Sequence, residues 1–140
     1  MSSIKNKAFS LLAKRAYFSK ELAAKLREKE FPEGEITSLV EELKQQGWLN
    51  DQELAERFVS RQREKGYGAR VIAQKLRMKA GEIPIEIDDG EILPLIKKKY
   101  LKKLPHDRNK VIASLMRRGF SYNLIDKAIR TITEEMEFSS

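Results

Sequence analysis

The chain has 140 residues, with 28 Lys and Arg against 21 Asp and Glu and a formal net charge of +7. This is the size of one domain or of a few small repeats, and the charge suits a polyanion, an acidic protein surface or plain solubility. The absence of cysteine excludes a disulfide scaffold and a thiolate metal site; with neither a secretory pattern in MSSIKNKAFS nor an apolar run of membrane-spanning length, a soluble, cytoplasmic monomer with no membrane partner is expected.

Helix signals dominate the pattern. Ile4, Ala8, Leu11, Leu12 and Ala16 give an amphipathic face to a first helix over 4–17. Ser19 is placed to cap a second, carrying Leu22, Ala23, Leu26 and Lys29, and Phe31-Pro32 ends it. A third runs over 33–46 with Ile36, Leu39, Val40 and Leu43 inward, and Gly47 stops it. Asn50 is a good N-cap for a fourth, over 50–65, with Glu53 in the capping-box position and Leu49 and Leu54 at staple positions. Gly66-Tyr67-Gly68 breaks that helix through a glycine in the left-handed region. The next helix, over 69–79, follows at once, so the two are expected to form a helical hairpin. Residues 91–103 read as a helix. Asp107 or Asn109 starts another, and Ser121 caps the last. The only alternating apolar run, 83–87, contains Pro84, so no strand is expected.

The helices repeat. Residues 22–29, LAAKLREK, return at 72–79 as IAQKLRMK, with five of eight positions identical. Leu22, Leu26, Phe31, Ile36, Val40 and Leu43 also match Val111, Leu115, Phe120, Ile125, Ile129 and Ile132 at one constant offset. The expected fold is therefore all-α: three tandem three-helix repeats stacked into an elongated, curved rod. The repeats are 1–49, 50–90 and 91–140, the second with a shortened third helix. The alternative gives 91–99 to the second repeat and shortens the third.

Several of these stretches, in this order, resemble the RecX family. Asp51-x-x-x-Ala55, the Arg/Lys run, Gly66-Tyr67-Gly68 and Ile72-x-x-x-Leu76-x-x-Lys79 are similar to its central signature. Leu12-Ala13-x-Arg15-x-x-x-Ser19-x-Glu21-Leu22-x-x-Lys25-Leu26 is similar to its first repeat, and Leu115-x-Arg117-Arg118-Gly119-Phe120-Ser121-Tyr122 to its last. The resemblance implies a bacterial regulator that binds filaments of RecA recombinase on DNA and modulates, typically inhibits, their recombination, ATPase and coprotease activities.

No catalytic constellation can be assembled. His106 is the single histidine and has no positioned partner. Asp88, Asp89 and Glu91 have no second acidic cluster to complete a cation site, and a helix start explains them. No phosphate-cradling glycine motif is present. The chain reads as a non-enzyme with no metal and no cofactor.

The remaining chemistry is cationic. Lys29, Lys79 and Arg118 occupy one position in the three repeats, with Arg27, Arg77 and Arg117 beside it. Stacking would align them as a stripe. Arg15, Lys25 and Lys75 flank it; Arg57, Arg61, Arg63, Lys65 and Arg70 surround the turn held by Gly66 and Gly68; Lys98 and Lys99 belong to the run over 97–103. Such a surface suits a RecA filament, or single- or double-stranded DNA directly. Solvated helix faces, and lysine stems lying over the core, account for the same residues. Tyr67 is the aromatic assigned to a surface contact; Phe9, Phe31, Trp48, Phe58 and Phe120 are assigned to the core. A DNA-binding module of tri-helical units is the second reading, but its reading helix over 33–46 carries Glu35, Glu41 and Glu42.

Overall fold

The computed structural model describes residues 3–139, and these are helical with no strand: α1 (Ser3–Lys14), α2 (Ser19–Glu28), α3 (Glu33–Gln45), α4 (Asp51–Glu64), α5 (Ala69–Ala80), α6 (Leu93–Lys99), α7 (Arg108–Arg117) and α8 (Tyr122–Ser139). The outermost residues of the first and third predicted repeats, 1–2 and 140, lie outside the described residues. The chain divides into two compact units. One runs to Phe58 and includes Lys75–Ile85; the other is Val59–Gln74 with the residues from Glu86 onward.

In the first unit α1, α2 and α3 pack on one another around Ile4, Ala8, Leu11, Leu22, Leu26, Ile36, Leu39, Leu43 and Leu49. In the second, α6, α7 and α8 surround Ile96, Tyr100, Val111, Leu115, Phe120, Ile125, Ile129 and Ile132. All six residues that repeat at constant offset are buried in the second unit. In the first, four are buried, and Phe31 and Val40 are half-buried against the core.

Four helices end in the same way. After α2, α3, α4 and α7 the chain enters the left-handed region at Glu30, Gly47, Gly66 and Gly119. The next amide then reaches back five residues: Phe31 N to Leu26 O, Trp48 N to Leu43 O, Tyr67 N to Gln62 O and Phe120 N to Leu115 O, at 2.9–3.3 Å. This is the Schellman ending, and glycine suits its left-handed residue because it has no Cβ. Only Glu30, at φ 67°, bears a side chain there. Glu30→Gly is therefore expected to stabilise the first unit by about 0.5–1 kcal/mol, the left-handed cost less glycine's entropy. Urea unfolding checks it: a lower midpoint would mean that the Glu30 side chain contributes more than its backbone costs.

Several sequence expectations change. The first helix stops at Lys14, so Ala16 is exposed while Tyr17 turns inward. Ser19 is not the cap of α2: Phe18 holds that position, and its amide donates to Glu21 Oε1 at 3.0 Å. Phe9 and Trp48 are 37% and 58% exposed, not core. Phe9 lies one step off the stripe of Ile4, Ala8 and Leu11, and Trp48 swings out so that Leu49 can enter the core. Their rings meet edge to face at 5.2 Å. The helix expected over 91–103 is only Leu93–Lys99, followed by turns through His106. Asn50 does cap α4, accepting from Glu53 N at 3.1 Å, and Ser121 Oγ accepts from Leu124 N at 3.3 Å at the start of α8.

Candidate functional site

Residues 81–92 hold no helix, yet their carboxylates have defined work. Asp89 accepts from Ala69 N at 2.8 Å and from Ser121 N at 3.4 Å, so one side chain serves the starts of both α5 and α8. Asp88 accepts from the Arg63 guanidinium, which also donates to the Asp88 carbonyl at 3.1 Å. The first unit repeats the Asp89 device. Ser19 N donates to Asp51 Oδ1 at 2.9 Å, and Ser19 occupies the place in its repeat that Ala69 occupies in the next. Asp51 of the central signature is thus an acceptor for a different helix, and no local pattern announces that.

Within the second unit the turn after α4 meets the turn after α7 backbone to backbone. Gly68 N donates to Arg118 O at 2.8 Å and Arg70 N to Gly119 O at 3.2 Å. A Cβ on Gly68 would lie 2.6 Å from Gly119 C and Phe120 N, and one on Gly119 would lie 2.6 Å from Val71 N. Of the two glycines of this turn, Gly66 takes the positive φ, at 90°, and Gly68 does not. Gly68 is required by close approach.

Arg118 closes this joint. Its Nε donates to Tyr100 Oη at 3.0 Å, and Nη1 reaches Gly66 O at 3.2 Å and Lys65 O at 3.4 Å. Tyr100 Oη and Ser114 Oγ are 2.7 Å apart. Burial alone would push the Tyr100 phenol up, but the contacts with Ser114 and Arg118, aided by the charges of Arg118 and Lys99, leave it below its ordinary value. Arg118 was expected to end an exposed stripe. It is instead half-buried and spends its donors on carbonyls and a phenol.

The other predicted cations fall into three groups. Some are tied to neighbours. Arg15 lies over the Tyr17 ring at 3.6 Å and pairs with Glu21 at 3.5 Å. Lys25 pairs with Glu28, Arg57 with Glu53 and Arg77 with Glu82, at 3.3–3.8 Å. Arg27 contacts Glu33, whose carboxyl is held below the usual range chiefly by that hydrogen bond. Arg70 donates to Met116 O at 2.8 Å, and Lys75 also has a partner. A second group lies open. Among the described residues no carboxylate is within ion-pair reach of Lys29, Arg61, Lys65, Lys98, Lys99 or Arg117, all exposed. Lys79 is intermediate in kind, its Nζ 5.6 Å from the Phe58 ring centroid.

Two polar clefts mark the second unit. The first, of about 320 Å³, is lined by the cations Arg63, Lys65, Lys98 and Lys99, by Tyr67, and by the carboxylates Glu64, Asp89 and Glu91. The second, of about 400 Å³, lies along α7 and includes Lys103, Lys110 and Arg117. Lys103 and Lys110 were not among the predicted site residues. Lys110 stands seven residues before Arg117, a helical spacing that was available in the sequence. On α3, by contrast, Lys44 pairs with Glu41 at 3.6 Å and Lys5 of α1 with Glu42 at 3.0 Å, leaving little charge for phosphate.

The described residues include no helix long and apolar enough to cross a membrane. They also include no group of three or more His, Cys, Asp or Glu arranged to hold a metal ion.

Comparison with known proteins gives one consistent answer. Models of the first, second and third three-helix domains of RecX match residues 5–43, 50–80 and 92–129. The chain is 33% identical over 144 residues to the regulatory protein RecX of Acinetobacter baylyi, covering 96% of this chain and 91% of that one. It is 29% identical over 147 residues to the regulatory protein RecX of Halorhodospira halophila, with the same coverage of each. The crystal structure of RecX from Lactobacillus salivarius superposes with a TM-score of 0.75 at 26% identity, over 94% of this chain and 95% of that one. With its three tandem helical domains matched in order, the chain belongs to the RecX family.

Proposed function

We propose that this protein is a non-enzymatic regulator that binds RecA recombinase filaments on DNA and restrains their ATPase, strand-exchange and coprotease activities. Family membership supports a RecA-related partner. The observation that carries the surface is the set of exposed cations Lys65, Lys98 and Lys99 around the Tyr67 cleft, none of them ion-paired among the described residues. Lys29 and Arg61 offer further cations of the same kind. Repeats at 1–49, 50–90 and 91–140 would present these residues to successive protomers, and several weak contacts would add as avidity. A filament regulator of this sort needs no bond-making chemistry, because occupying a groove that the protomers must move past is enough to slow them.

The test is DNA-dependent RecA ATPase and strand exchange with and without the full chain. Both should fall as the protein approaches stoichiometry with filament protomers. Lys65→Glu, Lys98→Glu and Lys99→Glu together should weaken filament binding by about tenfold or more, since charge-reversed contacts repel where they attracted. Unchanged ATPase and strand exchange at saturating protein would overturn the proposal. Full inhibition by the folded triple variant would move the surface elsewhere.

A further inference from the structure

We propose that the acidic turn 88–90 is an autoinhibitory clasp on Arg63, withholding that cation from the filament until a carboxylate of the filament surface displaces Asp88. This rests on the filament-binding reading and adds its regulation. Residues 86–91, EIDDGE, hold four carboxylates and no cation. Asp89, through its bonds from Ala69 N and Ser121 N, pins the segment across the starts of two helices. Its neighbour Asp88 has different work. Arg63 Nη2 donates to the Asp88 carbonyl at 3.1 Å and to the Asp88 carboxylate, and Gly90 N donates to the same carboxylate at 3.2 Å. Gly90 has φ 64°, and a Cβ there would lie 3.3 Å from Arg63 Cδ, so the turn closes directly over the arginine stem. The guanidinium is thereby neutralised in the lining of a cleft whose other cations, Lys65, Lys98 and Lys99, are exposed.

Two features make the clasp releasable. The Asp88 side chain is 84% exposed, and an ion pair with so wet a carboxylate is worth little net, because water solvates it nearly as well. Arg63 Nε, by contrast, is buried and has no hydrogen-bond partner among the described residues. The closed turn therefore engages one nitrogen of the guanidinium and leaves another donor unsatisfied. An incoming carboxylate can take Nε and Nη2 together as a fork, which is the stronger geometry. Displacement of Asp88 thus exchanges a one-nitrogen contact for a two-nitrogen one. Asp89 keeps the segment anchored meanwhile, so the turn can let go of Arg63 without unfolding the strap. Glu91, exposed and without an ion pair among the described residues, adds negative charge to the same lining and weakens its pull on an acidic surface.

The experiment measures binding of the full chain to RecA filaments in a double-mutant cycle, with circular dichroism to confirm folding. Asp88→Ala should tighten binding about three- to fivefold, the size of one competing exposed ion pair. Arg63→Gln should abolish that gain, so that Arg63→Gln binds alike with and without Asp88→Ala. A gain that persists without Arg63 would be the long-range effect of losing one negative charge, and would overturn the clasp. So would the absence of any gain in folded Asp88→Ala. Asp88→Asn keeps the acceptor oxygen and loses only the charge; it should give a smaller gain, and it decides the matter if the alanine variant does not fold. Proton exchange at Arg63 Nε, read by NMR of the free chain, should be slower than at the exposed Arg61 and should rise to the Arg61 rate in Asp88→Ala. Equal rates at Arg61 and Arg63 in the parent would overturn the clasp independently of RecA. A parent chain that does not bind filaments would overturn the proposed function, and the regulatory role of the clasp with it, while leaving the protection of Nε in place.

Discussion

Gly119→Ala and Gly68→Ala should each destabilise the second unit by about 4 kcal/mol or more. Gly119 has φ 105°, and an added Cβ would sit 2.6 Å from Val71 N. Left-handed strain of about 1–3 kcal/mol adds there to a clash with backbone that cannot rotate away. At Gly68 the backbone is unstrained, but its Cβ would strike Gly119 and Phe120 at 2.6 Å. Relief requires separating two turns, which gives up Gly68 N to Arg118 O and Arg70 N to Gly119 O, at about 1 kcal/mol each. That is a large fraction of a domain stability of about 5–15 kcal/mol. Gly34→Ala is the contrasting variant: nothing lies within 4 Å of its added Cβ, in α3, so it should gain about 0.5 kcal/mol. Hydrogen exchange of amides from Leu93 to Ile132 checks the result. Native protection in Gly68→Ala would show that the crossing is looser than its geometry.

Arg118→Glu should cost about 3–4 kcal/mol, while its neighbour Arg117→Glu should change stability by no more than about 0.5 kcal/mol. Reversal at Arg118 removes the donors to Tyr100, Lys65 and Gly66 and aims a carboxylate at two carbonyls. Hydrogen bonds from a charged group are worth about 1.5–3 kcal/mol net, more when their loss leaves partners unsatisfied. Arg118→Lys keeps the charge but loses the planar fork, and should recover only part of the loss. Thermal unfolding of the three variants side by side is decisive: equal losses at 117 and 118 would mean that both arginines are surface residues.

The helix count and the repeats were legible because burial selects apolar residues at fixed spacing, and that spacing is written along the chain. Leu22, Leu26, Ile36 and Leu43 could be placed inward from periodicity alone, as could their partners at 111, 115, 125 and 132. Helix ends were legible where they depend on one residue, as at Gly47, Gly66 and Gly119. Glu30 was not, because the same ending is forced there without a glycine. Phe9 and Trp48 were misplaced because aromatic character signals burial only when the residue also lies on the inward arc.

The basic surface was legible as composition and illegible as a site. Which of two adjacent arginines carries exposed charge depends on a step of about 100° around the helix and on what lies opposite it. Arg117 and Arg118 are indistinguishable as letters, yet one faces the α7 cleft and the other meets Tyr100. Asp51 and Asp89 show the same limit, since each serves the amide of a helix far away in sequence. The sequence by itself determined the all-helical class, the repeated apolar faces, the family and the cationic balance, because each rests on spacing or counting along one chain. Only the tertiary structure decided which cations are open, why Gly68 must be glycine and where the acidic residues of 88–89 act, because those are settled by groups that meet across long separations.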